Sequence, residues 1–211
     1  DLDPRGPVLI RGDPDMSDAQ TIAVYSARVD DYAKFAEDTP SQSLRGFIEA
    51  APEGGRVLDL GCGPGNAARF MAEAGLDAHA WDLTPEMVEM AATPGVTARQ
   101  AGFDDLDEVA TYDGVWANFS LLHAAKADMP RHLAAIATAL KDAGVFSIGM
   151  KTGEGERRDT IGRFYSYYTR DELMGLLGDA GFEAVWDKTG EEAGLDGTVA
   201  PFILIRCVKR G

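Results

Sequence analysis

Apolar residues in the first fifty positions recur at spacings of three and four, the period of a helix that buries one face. This pattern predicts helices over 17–37 and 41–50. After a Pro-Glu-Gly-Gly turn the pattern changes, and a short apolar run at 56–60 ends at a group of glycines. A helix-compatible stretch at 66–74 follows. The main body of the chain is therefore predicted to open with a strand, a turn and a helix.

The same alternation continues along the chain. Strands are predicted at 77–81, 96–99, 112–118 and 145–150, and helices at 85–91, 104–109, 128–141 and 170–180. Alternating strands and helices form parallel sheets with helices on both faces. Two last strands, 182–186 and 202–208, lack a helix between them and are expected to pair antiparallel. We predict a doubly wound α/β fold with a mostly parallel, seven-stranded, Rossmann-like sheet whose edge partner is reversed.

The chain of 211 residues fits one domain with a single core. We assign residues 17–211 to that domain and treat 1–16, rich in Pro, Gly and Asp, as a leader or an added arm. The polar and aromatic run 151–168 is the longest insertion and is expected to form a lid over the ligand. The stretch 191–198 is expected to be a surface loop.

The charge balance limits the partners. The 35 acidic against 20 basic residues give a net charge of −15, which repels phosphate backbones and anionic membranes. The basic residues near the lid are interrupted by acids, so we interpret them as a mixed loop. No apolar run approaches the roughly 20 residues of a membrane helix, and no signal pattern is present. We expect a cytoplasmic monomer or homodimer that acts on a small molecule, with no nucleic acid or membrane partner.

The strongest chemical signal is the run VLDLGCGPGN at 57–66, where a buried strand turns into a helix. Glycines let the backbone approach a ligand closely, and the helix N-terminus favours an anionic group. A dinucleotide fingerprint needs Gly or Ala where Asn66 stands. A carboxylate at Asp59 suits a ligand that carries an ammonium group and opposes a pyrophosphate. A nicotinamide oxidoreductase is therefore disfavoured.

At these residues the sequence resembles the class I S-adenosylmethionine-dependent methyltransferases. The resemblance implies that Asp59 and the backbone of Gly61, Cys62, Gly63 and Gly65 hold the methionine end of the cofactor. A second matching element is WDLTPEM at 81–87, in which Asp82 would accept the ribose hydroxyls. Asp82 taken alone could equally be an acid that a helix N-terminus favours.

Weaker matches follow in the family's order. Gly102-Phe103-Asp104 resembles the adenine-contacting segment, with Phe103 stacking on the ring and Asp104 accepting from the amine, although Asp104 could simply cap a short helix. The run 112–123 resembles the fourth strand and its exit beside the reactive methyl group. The resemblance also implies cofactor contacts for Tyr25, Leu83, Met87, Asn118 and Phe119. The run 151–168 looks like that of small bacterial tellurite-resistance-type methyltransferases.

The substrate end rests on fewer signals. His123 could be a general base, because its ordinary pKa suits proton removal near neutrality, or a hydrogen-bonded histidine at a helix start. Lys151, Tyr165 and Tyr168 could line the substrate pocket, whereas the tyrosines could instead be core and the lysine solvated. The three histidines lack ligand spacing, so no metal is expected.

The resemblance implies methyl transfer from S-adenosylmethionine to a small-molecule acceptor. A non-catalytic module that binds S-adenosylmethionine or S-adenosylhomocysteine is the alternative, and it would bind ligand without turnover.

Overall fold

The computed structural model describes residues 18–28, 39–194 and 197–211. The helices are α1 (Ala19–Ala27), α2 (Gln42–Ala50), α3 (Asn66–Glu73), α4 (Pro85–Ala91), α5 (Met129–Ala139) and α6 (Arg170–Asp179). The strands are β1 (Arg56–Leu60), β2 (Asp77–Asp82), β3 (Val96–Gln100), β4 (Tyr112–Asn118), β5 (Leu140–Lys151), β6 (Glu156–Arg158), β7 (Phe164–Ser166), β8 (Phe182–Ala193) and β9 (Val199–Lys209). The predicted leader and the second half of the predicted first helix lie outside the described residues.

The main sheet has seven strands in the order β3-β2-β1-β4-β5-β9-β8, which confirms the predicted fold class. The first five strands pair in parallel, and β9 pairs antiparallel with both β5 and β8. The predicted antiparallel pairing of the last two strands is confirmed, but the reversed strand β9 lies inside the sheet and β8 forms the edge. After α6 the chain forms β8 at the edge of the sheet, and β9 then returns between β8 and β5.

Burial explains the central strands. In β1, Val57, Leu58, Asp59 and Leu60 are all buried, and the second half of β5 is buried throughout. Strands that are covered on both faces need such continuous apolar runs. On one face α2 inserts Phe47 against Trp116, with ring centroids 5.4 Å apart. The core therefore lies between the sheet and its two helical layers.

Several predicted boundaries are wrong. α5 ends at Ala139, because Leu140 already pairs with Tyr112 in the sheet. The predicted helix at 104–109 is only a 3-10 turn, Phe103–Asp105, which the Asp105 carboxylate closes by accepting from the Gly102 N–H at 2.7 Å. The expected loop 191–198 is partly strand, because β8 extends to Ala193 and β9 begins at Val199.

The insertion between β5 and α6 is also more regular than predicted. It contains the hairpin of β6 and β7, paired through three residue pairs. Arg158 of β6 forms an ion pair with Asp18, which caps α1. The hairpin is thereby attached to the N-terminal helix across the open end of the sheet. None of the helices in the described ranges is long and apolar enough to cross a membrane.

Candidate functional site

A cavity of about 470 Å³ opens at the carboxyl ends of the parallel strands. Its volume lies within the roughly 300–1,000 Å³ typical of small-molecule sites. One part, the glycine half, is lined by Gly61, Cys62, Gly63, Pro64, Asp82, Leu83, Thr84, Met87, Ala101, Gly102, Phe103, Asn118, Phe119 and Ser120. The other part, the tyrosine half, is lined by Asp18, Thr21, Ile22, Tyr25, Leu122, His123, Lys151, Arg163, Tyr165, Glu192, Ala193 and Gly194.

The three glycines of the turn have different surroundings, although φ is positive at all of them. A Cβ added to Gly61 would lie 2.3 Å from Cβ of Ser120, and one added to Gly65 would lie 2.6 Å from the backbone of Ala91. A Cβ added to Gly63 would meet nothing within 4 Å. Gly61 and Gly65 therefore allow close packing, whereas Gly63 leaves space on the cavity side.

The turn is attached to the neighbouring strand by hydrogen bonds. The N–H groups of Gly61 and Cys62 donate to the Trp81 carbonyl at 2.8 and 2.9 Å. The N–H groups of Gly63 and Thr84 donate to the two carboxylate oxygens of Asp82, both at 2.9 Å. Burial raises the pKa of Asp82, and these backbone donors oppose that rise. Asp82 is thus held in one orientation at the end of β2, facing the cavity.

The apolar wall of the glycine half comes from two segments. Leu83 and Met87 follow β2, and Phe103 stands at the turn after β3. The Leu83 methyl groups lie about 3 Å from where a Gly102 side chain would begin, so a larger residue there would have to displace Leu83. A flat ring entering between Leu83 and Phe103 would be covered by apolar atoms.

Asp59 occupies a different place from the one expected. It is 3% exposed, does not line the cavity, and accepts from the Ala68 N–H in the first turn of α3 at 3.2 Å. Burial raises its pKa to about 7, and the charge of Asp82 adds to that rise while the Ala68 N–H opposes it. In this structure Asp59 supports the glycine turn from beneath.

The raised pKa of Asp59 makes a stability prediction. The folded protein keeps a proton on Asp59 up to about pH 7, whereas the unfolded chain loses it above about pH 4, so stability falls as pH rises from about 4 to about 7 and levels off above that window. Relative to Asp59→Asn, the wild type should lose up to about 1.4 kcal/mol per pH unit over this window. Urea unfolding of both proteins across these pH values measures the difference. Asp77→Asn is the control: Arg56 lowers the pKa of Asp77, so the stability change linked to Asp77 has the opposite sign and lies below about pH 4, and this variant should stay parallel to the wild type over the window. Parallel curves for wild type and Asp59→Asn would contradict the prediction.

In the tyrosine half, His123 lies between α1 and β7. Its Nε2 is 2.6 Å from the Tyr25 hydroxyl, and its Nδ1 is 2.7 Å from the Phe164 carbonyl. The predicted base and the predicted cofactor contact Tyr25 are therefore direct partners. Burial lowers the pKa of His123 to about 4, with the charges of Arg163 and Lys151 acting in the same direction.

Two cations accompany this pair. Lys151 is 8% exposed, and its ammonium lies 5.0 Å from the centre of the Tyr165 ring. Arg163 is 2% exposed, forms an ion pair with Asp159, and donates to the Tyr25 hydroxyl at 3.4 Å. Sequence reasoning placed Arg163 in a mixed loop. In the structure Arg163 lines the cavity, which corrects that interpretation. The sequence signal that could have predicted its burial is Asp159, an acid four residues earlier that can neutralise a buried guanidinium.

Most residues proposed from the sequence line the cavity, and four do not. Asp59 and Gly65 lie behind the turn. The Asp104 carboxylate forms an ion pair with Arg131, away from the lining. Tyr168 is 1% exposed, with Lys126 over its ring, so it is a core residue.

Sequence reasoning also missed residues that line the tyrosine half. These are Asp18, Thr21 and Ile22 of α1, Leu122, and Glu192, Ala193 and Gly194 at the tip of the last hairpin. Within the described ranges no group of three or more His, Cys, Asp or Glu could hold a metal ion, and the absence of a metal stays a prediction.

The fold and the cavity define a Rossmann-like domain that binds a small ligand at the carboxyl ends of its parallel strands. The family described as "Methyltransferase domain" matches residues 32–186. The chain therefore belongs to this family and has the fold of the class I S-adenosylmethionine-dependent methyltransferases.

Individual proteins that are similar to this chain are also methyltransferases. Trans-aconitate 2-methyltransferase of Mycolicibacterium gilvum is 40% identical over 73 residues, 34% of this chain and 29% of that protein. A 1,6-didemethyltoxoflavin-N1-methyltransferase of Burkholderia thailandensis, solved with S-adenosylhomocysteine bound, has a TM-score of 0.70 at 23% identity and covers 92% of this chain and 88% of its own. An S-adenosylmethionine-dependent methyltransferase of Methanosarcina mazei has a TM-score of 0.69 at 18% identity and covers 77% and 95%. The chain spans less than two fifths of the length of the curated relatives it matches, at most 38%.

Proposed function

We propose that this protein transfers a methyl group from S-adenosylmethionine to a small-molecule acceptor, with the cofactor in the glycine half and the acceptor in the tyrosine half. One observation carries the proposal: the Asp82 carboxylate accepts from the N–H of Gly63, and Gly63 has open space where a side chain would stand. A ligand fits this arrangement if it carries vicinal hydroxyls for Asp82 and a linear part that lies against the backbone of Gly63.

The residues of the glycine half fit each part of the cofactor. Asp82 has lone pairs beyond those that Gly63 and Thr84 use, so it can accept from the ribose hydroxyls. Leu83 and Phe103 offer apolar surface to the adenine. The backbone at Cys62 and Gly63 lies where the methionine end would run. Asp59 supports this backbone through the Ala68 N–H and lies outside the proposed cofactor contacts.

The bound cofactor supplies an activated methyl group on a positively charged sulfur. The protein must therefore position the acceptor in line with that group and exclude water. Asn118 and Phe119 line the cavity at the end of β4, the strand between β1, which leads into the glycine turn, and β5, which ends at Lys151. Phe119 packs edge-on against Phe202, which keeps this part of the lining apolar.

A small acceptor is supported by the cavity and by the relatives. The tyrosine half is lined by residues of α1, the hairpin of β6 and β7, and the tip of the last hairpin, and the volume of the cavity suits a small molecule. Two relatives carry small molecules, trans-aconitate and 1,6-didemethyltoxoflavin, in their names. The resemblance to tellurite-resistance-type enzymes stays a prediction, so chalcogen acceptors belong in the screen.

Isothermal titration with S-adenosylmethionine, S-adenosylhomocysteine and NADH tests the cofactor assignment, and mass spectrometry across an acceptor panel tests turnover. We expect micromolar binding of the first two ligands, no binding of NADH, and an acceptor product that carries one added methyl group. Binding without product from any acceptor would favour the non-catalytic binding module. Failure of folded protein to bind S-adenosylmethionine would contradict the proposal.

A further inference from the structure

We propose that Tyr25, which the family resemblance assigned to the cofactor, is instead the catalytic residue that takes a proton from the acceptor, and that His123 is the positioning residue that receives the tyrosine's own proton. The acceptor is then a molecule whose attacking atom carries a proton, such as a hydroxyl or a thiol. This inference rests on the proposed function and names its substrate class.

The hydrogen bonds of His123 define its tautomer. A carbonyl oxygen only accepts, so Nδ1 must carry the proton that it donates to the Phe164 carbonyl at 2.7 Å. In the neutral ring Nε2 then has a lone pair. The Tyr25 hydroxyl, 2.6 Å away, therefore donates to Nε2. Both ring nitrogens are thus engaged, so a proton from an acceptor reaches Nε2 by way of the Tyr25 oxygen.

One residue, Phe164, positions both Tyr25 and His123 through its backbone. The Phe164 N–H donates to the Thr21 hydroxyl at 2.8 Å, and Thr21 in turn donates to Asp18 at 2.6 Å. Thr21 and Tyr25 are four residues apart on α1, so they share one helix face. The backbone of Phe164 is thus bonded to α1 through its N–H and to His123 through its carbonyl. This geometry sets the distance from Tyr25 to His123.

Charged and aromatic groups face His123 from every element around it. Tyr25 comes from α1, Lys151 from β5, Tyr165 from β7, and Arg163 with its partner Asp159 from the turn before β7. Burial and the two cations keep the imidazole neutral near neutral pH, ready to accept a proton. The Arg163 guanidinium also donates to the Tyr25 oxygen, which stabilises negative charge there as the proton leaves.

The proton movements balance. As the acceptor atom bonds to the methyl carbon, the pair of electrons of the carbon–sulfur bond stays on sulfur, and the acceptor's bond to its proton breaks. That proton bonds to the Tyr25 oxygen, while the original hydroxyl proton moves to Nε2 of His123. An attacking hydroxyl becomes strongly acidic as its new bond forms, so a base as weak as His123 suffices. The imidazolium afterwards releases its proton to solvent.

The first test is nitrogen-15 NMR of the histidines in the complex with S-adenosylhomocysteine. We expect His123 to show a protonated Nδ1 and a bare Nε2 from pH about 5 to 8, because its pKa lies below this range. Protonation of Nε2 in this range would overturn the proposal. This readout needs no acceptor, so it separates the proton relay from the question of turnover.

The second test is methyl transfer to catechol, phenol and dithiothreitol as protic probes, against benzoate and trans-aconitate as carboxylates. Tyr25→Phe should lower kcat on a protic probe by about 10²–10⁴-fold with S-adenosylhomocysteine affinity unchanged. Its rate should recover at high pH, where the probe ionises by itself. His123→Gln should give a smaller loss with the same recovery. Tyr112→Phe is the control: Tyr112 begins β4, at the end of the strand away from the cavity, and its replacement should leave kcat and its pH profile unchanged.

Three results would overturn the proposal: unchanged kcat in Tyr25→Phe, a loss that high pH does not restore, or methylation of carboxylates alone. Binding of S-adenosylmethionine with no product from any probe would overturn both this inference and the proposed function. Cofactor binding and turnover without the expected His123 tautomer or Tyr25 effect would overturn this inference alone, whereas failure to bind the cofactor would overturn the proposed function and this inference with it.

Discussion

Alanine at Gly65 is expected to lower the free energy of unfolding by about 2–5 kcal/mol, whereas alanine at Gly63 should cost only about 1–2 kcal/mol. Both glycines have positive φ, 82° and 51°, so both alanines are strained in the backbone. Only at Gly65 does the added Cβ also meet packed backbone, 2.6 Å from Ala91 on α4. The two positions of one motif are therefore predicted to respond differently.

Cofactor affinity should show the reverse order among folded variants. Gly63 lines the cavity and a Cβ there would stand in open space. We expect the methyl group of Gly63→Ala to compete with the cofactor for that space, with at least about a tenfold loss of S-adenosylmethionine affinity, or about 1.4 kcal/mol. Urea unfolding and isothermal titration on both variants measure the two effects. Equal stability losses at the two positions would contradict the packing role of Gly65. Wild-type affinity in Gly63→Ala would contradict the close approach of the cofactor.

Asp82→Ala is expected to weaken binding of S-adenosylmethionine and S-adenosylhomocysteine by about 10- to 150-fold. Hydrogen bonds to a charged acceptor are worth about 1.5–3 kcal/mol, and the loss should be equal for the two ligands because they share the ribose. The substitution also removes the acceptor of the Gly63 N–H, so the turn loses its attachment to β2. Titration calorimetry at one pH with thermal unfolding of each variant separates affinity from folding.

Asp77→Ala is the matched control for Asp82. Asp77 begins the strand that Asp82 ends, is exposed, and forms an ion pair with Arg56 away from the cavity. Its replacement should leave both ligand affinities within twofold of wild type. An equal loss in the two variants would indicate damage to β2 rather than to a ribose contact. A loss for one ligand only would contradict the shared ribose contact.

The central sheet could be predicted because its strands are buried on both faces and therefore appear as short apolar runs between glycines. β1 and β4 have the predicted bounds for this reason. Asp82 could be placed because it ends a strand next to the one that carries the glycine turn. These are local signals, and the rule that ligands bind at the carboxyl ends of parallel strands joins them.

The tyrosine half could be predicted only in part, because it depends on contacts between distant segments. Tyr25 and His123 are 98 residues apart, and no spacing signals their hydrogen bond. Arg163 was interpreted as part of a mixed loop, since its burial depends on Asp159 and on the ring of Tyr165. Asp59 shows a different limit: the motif predicts its position beside the turn, but not that its carboxylate accepts from the helix that follows and lies outside the cavity lining.

The two halves of the cavity are also drawn from the chain in different ways. Residues that line the glycine half fall between Gly61 and Ser120, whereas the tyrosine half adds to Leu122, His123 and Lys151 residues from α1, the hairpin of β6 and β7 and the tip of the last hairpin. Under the proposed function, a substitution in any of these outlying segments would change the acceptor's surroundings and leave the cofactor's contacts intact. Descendants of one ancestral gene can therefore diverge in the molecule they modify while inheriting the same methyl donor.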